Sequence, residues 1–144
     1  MSFSDFISNH GKKVIKEAFI YLVQVSRVDG KIGKEEMELL HKEGKKFGLT
    51  EPEIEKLVQA EKDHHYNPPY SLHDKFEHFY NIVEMVLADD VIREKERRMI
   101  KRFAIEAGFD YSKIDSLIDI MIKGAEKNTP EEELFEKFKK KLLG

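Results

Sequence analysis

Val28-Asp29-Gly30-Lys31-Ile32-Gly33-Lys34-Glu35-Glu36 returns sixty residues later as Ala88-Asp89-Asp90-Val91-Ile92-Arg93-Glu94-Lys95-Glu96. The correspondence extends outward at the same offset. Leu40 falls on Ile100, Gly48 on Gly108, Ile54 on Ile114 and Leu57 on Leu117. Each copy reads helix, acidic turn, helix, glycine stop, helix. The matched positions are those that start, stop and bury helices, which is the signature of an internal structural repeat. The chain therefore divides into two related units, about 14–60 and 74–123, followed by a C-terminal helix at about 130–143. Two copies imply a pseudo-twofold arrangement in which the two acidic turns approach each other.

The flanking segments read as helices. From Lys13 to Val28, apolar residues fall at Ile15, Ala18, Phe19, Leu22 and Val25. Steps of three and four make one helical stripe. A second helix runs from Lys34 to Phe47, with Met37, Leu40 and Phe47 inward and Gly48 as its C-terminal stop. Thr50 and Glu53 form a capping box for a third. Asn67-Pro68-Pro69 forbids helix, so 63–71 is a loop. Ser71 and Asp74 open a helix whose inward residues are Leu72, Phe76, Phe79, Tyr80, Val83, Val86 and Leu87. Further helices cover Glu94–Ala107 and Ser112–Lys123, ended by Gly108 and Gly124. Thr129, Pro130 and Glu132 supply cap, first-turn proline and box partner for the last helix. No segment alternates with period two, so no sheet is expected. The expected fold is an all-α bundle of seven or eight helices in one domain spanning 1–144.

Composition narrows the function. A chain of 144 residues has one domain's length. The absence of cysteine excludes disulfides, thiolate metal sites and a thiol nucleophile. Charged residues reach 37%, yet 25 Lys+Arg stand against 28 Asp+Glu. Such balance does not suit a nucleic-acid binder, which needs a basic excess. No basic stretch followed by an apolar run opens the chain, and no apolar run is long enough to span a bilayer, so a cytoplasmic location is expected.

The acidic turns admit two readings. Asp29, Gly30, Ile32 and Glu36 match the second half of a calcium-binding EF-hand loop. However, Val25 and Arg27 occupy the first two ligand positions, and a guanidinium cannot sit where calcium must. A true EF-hand is rejected. On the structural reading, Glu36 and Glu96 lie three residues after the caps Gly33 and Arg93, where a carboxylate favours the helix start. Asp29 and Asp89 then close turns onto the following backbone. On the ionic reading, Asp29, Glu36, Asp89, Asp90 and Glu96 hold a divalent cation or a cationic partner. Oxygen ligands would favour calcium, magnesium or manganese.

The pattern resembles the tellurite-resistance TerB-like domain, also found in the N-terminal region of DnaJ-like membrane chaperones. The resemblance rests on Ser26 to Ile32 with Glu36, and on Leu87 to Ile92 with Glu96; it covers roughly Val14 to Lys123. Family members show an alanine before Asp-Gly, a branched apolar residue two later and the Glu seven after the Asp. Two departures stand out here, Val28 for that alanine and Asp90 for the second glycine. The resemblance implies a compact helical domain linked to tellurite resistance and stress response. Such a domain would be non-enzymatic, acting in metal-ion sensing or as an interaction module near membrane-bound partners. The competing reading is a protein-interaction or scaffolding domain whose acidic turns are only structural.

Other chemistry is thinner. His64, His65, His73 and His78 cluster in sequence, and Asp74 and His78 share a helical face, which suits a surface pair better than a metal site. No nucleophile elbow, phosphate loop or dinucleotide fingerprint occurs. Arg93, Lys95, Arg97, Arg98, Lys101 and Arg102 load the second unit's middle helix with cations, read as a solvated face or as a surface for an anionic partner. In the last helix, acids at 131–133 precede lysines at 139–141, the order that complements the helix dipole.

Overall fold

The computed structural model describes residues 16–28, 30–46, 48–87 and 93–144. The described residues form a helical bundle. Helix α1 is described over 16–25. It is followed by β1 (Arg27–Val28), β2 (Lys31–Ile32), α2 (Lys34–Lys46), α3 (Glu51–Glu61) and α4 (Leu72–Val86). The second half contains α5 (Glu94–Glu106), a 3-10 turn at Tyr111–Lys113, α6 (Ile114–Glu126) and α7 (Glu131–Leu143). No helix among the described residues is long and apolar enough to cross a membrane.

The repeat is visible element by element. Helices α2 and α5 are each thirteen residues long and begin sixty residues apart. Their C-termini close identically. Gly48 and Gly108 take φ of 83° and 86°, a left-handed conformation that glycine adopts without a Cβ penalty. The N–H of Leu49 then bonds the Gly44 carbonyl at 3.0 Å, and that of Phe109 bonds the Ala104 carbonyl at 3.2 Å. The Thr50–Glu53 capping box forms in full, and Ser71 accepts from the Asp74 N–H.

The core is aromatic and shared by both units. Phe19, Phe76, Phe79, Phe103 and Phe138 are all fully buried. Phe79 lies 6.2 Å from Phe103 and 6.0 Å from Phe138, while Phe109 meets Phe138 edge-on at 5.3 Å. Each such ring contributes about 1.5–3 kcal/mol by leaving water. Helix α7 belongs to neither repeat, yet it supplies Leu134 and Phe138 to this core.

Several local expectations are corrected. The first helix stops before Arg27, because Arg27–Val28 pairs antiparallel with Lys31–Ile32. Among the described residues this two-residue ladder is the one departure from helix and loop, and it turns through Gly30 at φ 80°. Gly124 does not end α6. It is buried inside the helix, where an added Cβ would stand 2.5 Å from Leu134 Cδ1. The stop comes at Asn128, with φ 53°, and the Thr129 N–H bonds the Gly124 carbonyl at 2.8 Å. Thr129 therefore closes α6. The N-cap of α7 is Pro130, without a side-chain cap.

The 62–71 loop is pinned to α1 and α4. Arg27 donates to the His64 carbonyl at 3.1 Å and contacts His65 Nδ1 at 2.9 Å. Tyr66, nearly fully buried, sits 2.8 Å from His78 Nδ1, and Tyr21 stacks on the same imidazole at 4.5 Å between ring centres. His78 is therefore a packing residue between two tyrosines, in place of the surface pair with Asp74 expected from spacing. Burial pushes its pKa down, against the opposing pull of Asp74, Glu17 and Glu77.

Two stability outcomes follow from this packing. In α2, a Cβ on Gly44 would meet Ile54 Cγ1 at 2.6 Å and Phe19 Cε2 at 3.3 Å. Gly44→Ala should cost about 1–3 kcal/mol by overpacking, outweighing the gain in helix propensity, as read by urea unfolding. The second unit carries Ala104 at the equivalent position, so Ala104→Gly should show no such relief of crowding. Because His78 is held neutral by the fold, stability should fall as pH drops below the ordinary histidine range, through its lowered folded pKa. Comparing the melting temperature of wild type and His78→Gln between about pH 7 and 5 checks this: the wild type should lose more.

Candidate functional site

Helices α2 and α5 meet across a groove of about 480 Å³. Its apolar part includes Leu39, and Met99 lines an adjoining recess; these two positions are sixty residues apart. Glu35 and Lys95 form a second equivalent pair and are joined by an ion pair of 3.3 Å. Glu38 and Arg98 form a third, both lining the groove. The repeat has thus built one cleft from matching positions of two helices while giving them opposite charge. At these positions α2 presents carboxylates and α5 presents cations.

Glu36 and Glu96 form a fourth pair, and their surroundings differ. Glu36 is half-buried and folds back over its own helix start, its Oε2 2.6 Å from where a Cβ on Gly33 would stand. Glu96 is only 1% exposed. Its Oε1 accepts the Arg93 N–H at 3.1 Å and lies 3.8 Å from Lys42 Nζ, and its Oε2 lies 3.4 Å from Lys46 Nζ. Both glutamates thus stand at the third helical position, as the capping reading requires. Asp29, Asp89 and Asp90, the other three residues assigned to an ion, lie outside the described residues, as does the separation of the two turns.

Sequence reasoning missed a buried acid beside Glu96. Glu43 of α2 is 0% exposed, with its Oε2 3.4 Å from Lys46 Nζ. Neither of its oxygens accepts a hydrogen bond. Burial first, and then its neighbour Glu96, pushes its pKa up to about 9, against the opposing pull of Lys46. Glu96 moves the other way. Burial alone would raise it, but the bond from Glu43, the Arg93 N–H and the ammonium groups of Lys46 and Lys42 hold it below the usual range. The two shifts run in opposite directions, as expected when two acids share a site. Glu43 does not line the groove, so a bound molecule there would meet Glu96 but not Glu43.

Cations of each unit also brace the other. Lys46 of α2 donates to the carbonyl of Val86 at the end of α4. Arg102 of α5 donates to the carbonyl of Ser26, just after α1, at 3.4 Å. Ser26 and Val86 are sixty residues apart, so the same carbonyl in each unit receives a cation from the opposite one. Elsewhere on α5, Arg97 lies 3.1 Å from Asp119 and Lys101 lies 3.2 Å from Asp115, tying α5 to α6. The basic helix is consequently divided among three jobs, with Lys95 and Arg98 facing the groove.

Among the described residues, one set of three offers ligand atoms within 4.8 Å of one another: His73, Asp74 and Glu77. His73 and Asp74 are exposed, and the imidazole rests edge-on against Phe135. The set stands in the first turns of α4, where the positive end of the helix dipole disfavours a cation.

Comparison with known protein families, with curated proteins and with solved structures finds no match to this chain.

The two glutamates should differ in what they carry. Glu96→Ala removes a buried carboxylate from the start of α5 and from the Lys46 ammonium and should cost about 3–5 kcal/mol. Glu36→Ala removes a half-buried cap and should cost about 1 kcal/mol. Denaturant midpoints of the two variants, compared at neutral pH, measure the gap.

Proposed function

We propose that this chain is a non-enzymatic, TerB-like interaction module that binds a protein partner in the groove between α2 and α5. The observation that carries this reading is the burial of Glu96. Its oxygens are spent on the start of α5 and on Lys42 and Lys46, inside the molecule. A carboxylate so engaged would have to give up an ammonium to take a divalent ion. The groove itself offers a small apolar strip beside Leu39, flanked by Glu38 on one wall and Arg98 on the other. That arrangement suits an element with an apolar ridge and both signs of charge on its flanks. The family resemblance adds the link to tellurite resistance and stress response, with partners near a membrane. A cytoplasmic setting is part of the same proposal.

Two measurements test it together. Calorimetric titration with calcium, magnesium and manganese should give isotherms that Glu36→Gln and Glu96→Gln leave unchanged. Ion binding that disappears in both variants, with helicity retained, would overturn the proposal in favour of an ion-binding module. A photocrosslinker at Leu39 in cells should capture one discrete protein, and Arg98→Glu should abolish the capture. Crosslinks indifferent to Arg98 would contradict the groove as the docking face.

A further inference from the structure

We propose that Asn67-Pro68-Pro69-Tyr70 is a docking ligand in its own right, a short polyproline-II segment held out for a partner protein whose groove is lined with aromatic rings. The segment lies in the loop before α4 and shares no lining residue with the groove between α2 and α5, so it adds a second contact surface to the molecule. Composition sets it apart. In a chain that is 37% charged, Tyr66 to Leu72 carries no charged residue. Asn67, Pro68 and Tyr70 are exposed, and Pro69 is half-buried.

The two tyrosines that bracket the prolines have opposite surroundings. Tyr66 is 5% exposed, with its ring centre 4.8 Å from that of Phe103 and 5.2 Å from that of Tyr21. Tyr70 is 105% exposed, as open to water as in an extended chain. It stands just before the Ser71 cap of α4, where an apolar side chain commonly folds back onto the fourth residue of the helix. That residue is Lys75, which gives the ring no apolar surface to meet. Tyr70 thus contributes no burial to the fold. A rigid ring with a polar tip is, however, the side-chain type enriched where proteins meet.

The backbone is prepared for capture. Residues 64–69 form no helix, strand or turn. Each proline ring holds φ at about −65°, and the residue before a proline is confined to extended conformations, which restricts both Asn67 and Pro68. Ser71 stays in the same basin, with φ −82° and ψ 147°. Both ends are fastened: Tyr66 sits 2.8 Å from His78 Nδ1, and Ser71 accepts the Asp74 N–H at 3.1 Å. A segment restrained in this way loses little further entropy on binding, which is a main cost of capturing a loop. Polyproline-II backbone makes no hydrogen bonds within itself, so its carbonyls remain open to a partner's donors, and proline rings dock in aromatic-lined grooves. With no charge on 66–72, the contact should be insensitive to salt.

A photocrosslinker placed at Asn67, in cells that make this protein, tests the proposal with Tyr70 intact. It should capture one discrete partner, and Tyr70→Ala should lower the yield about tenfold, as the loss of an interface hot spot would. A synthetic peptide of residues 64–72, added to the lysate before irradiation, should compete with the capture. The same peptide with alanine at both proline positions should need about tenfold more to do so, because it must be ordered on binding. The competition leaves the loop's own prolines and Tyr70 in place, so it does not depend on how the Tyr70 variant folds. Absent capture, capture that Tyr70→Ala leaves unchanged, equal competition by the two peptides, or an adduct between two copies of this chain would each overturn the proposal.

Discussion

The ammonium of Lys46 holds the seam of this molecule. It lies between two buried carboxylates on different helices and donates to a main-chain carbonyl on a third. Helices α2 and α5 belong to different copies of the repeat, so this contact joins the halves through charge, where the rest of the core joins them through aromatic rings. Apolar packing around Phe79 and Phe103 is tolerant of small shifts, because dispersion is non-directional. A buried ion cluster is less forgiving, since each member left alone pays its full desolvation cost. The register of the two units, and with it the groove above the seam, follows from that stricter requirement.

Duplication explains both what the units share and where they part. The caps, the glycine stops and the carbonyls that receive a cation recur at one offset. The groove is made from equivalent positions too, yet Glu35 and Glu38 answer Lys95 and Arg98 with opposite charge. The opposition holds at these two pairs, while the rest of the lining sets Lys42 on α2 and Glu94 and Glu96 on α5, so the cleft as a whole carries both signs on both walls. The balanced, dense charge of the whole chain has a local counterpart here.

Much of this could be read from sequence because it is local. Thr50 with Glu53, and Ser71 with Asp74, announce helix starts through contacts only three residues apart. Glu36 and Glu96 announce themselves the same way, and the offset between them exposes the repeat. The hairpin at Arg27–Ile32 was signalled by Asp29-Gly30, a two-residue turn favoured between paired strands, but the surrounding helical stripe outweighed it. Gly124 looked like a stop because its burial depends on Leu134, ten residues away on the next helix. Glu43 could not be found at all. A glutamate on an amphipathic helix reads as solvated, and its burial is decided by Glu96, more than fifty residues distant. The setting of His78 is non-local in the same way, since Tyr21 and Tyr66 reach it from separate segments.

Glu96 is spent on the protein itself, with an ammonium where an ion-binding module would place a metal. A crystal structure determined in the presence of manganese, phased with its anomalous signal, tests that most directly. No anomalous peak is expected within coordination distance of Glu96, with Lys46 still on its carboxylate and Arg93 still capped. A manganese peak bonded to Glu96, with Lys46 turned away, would contradict it.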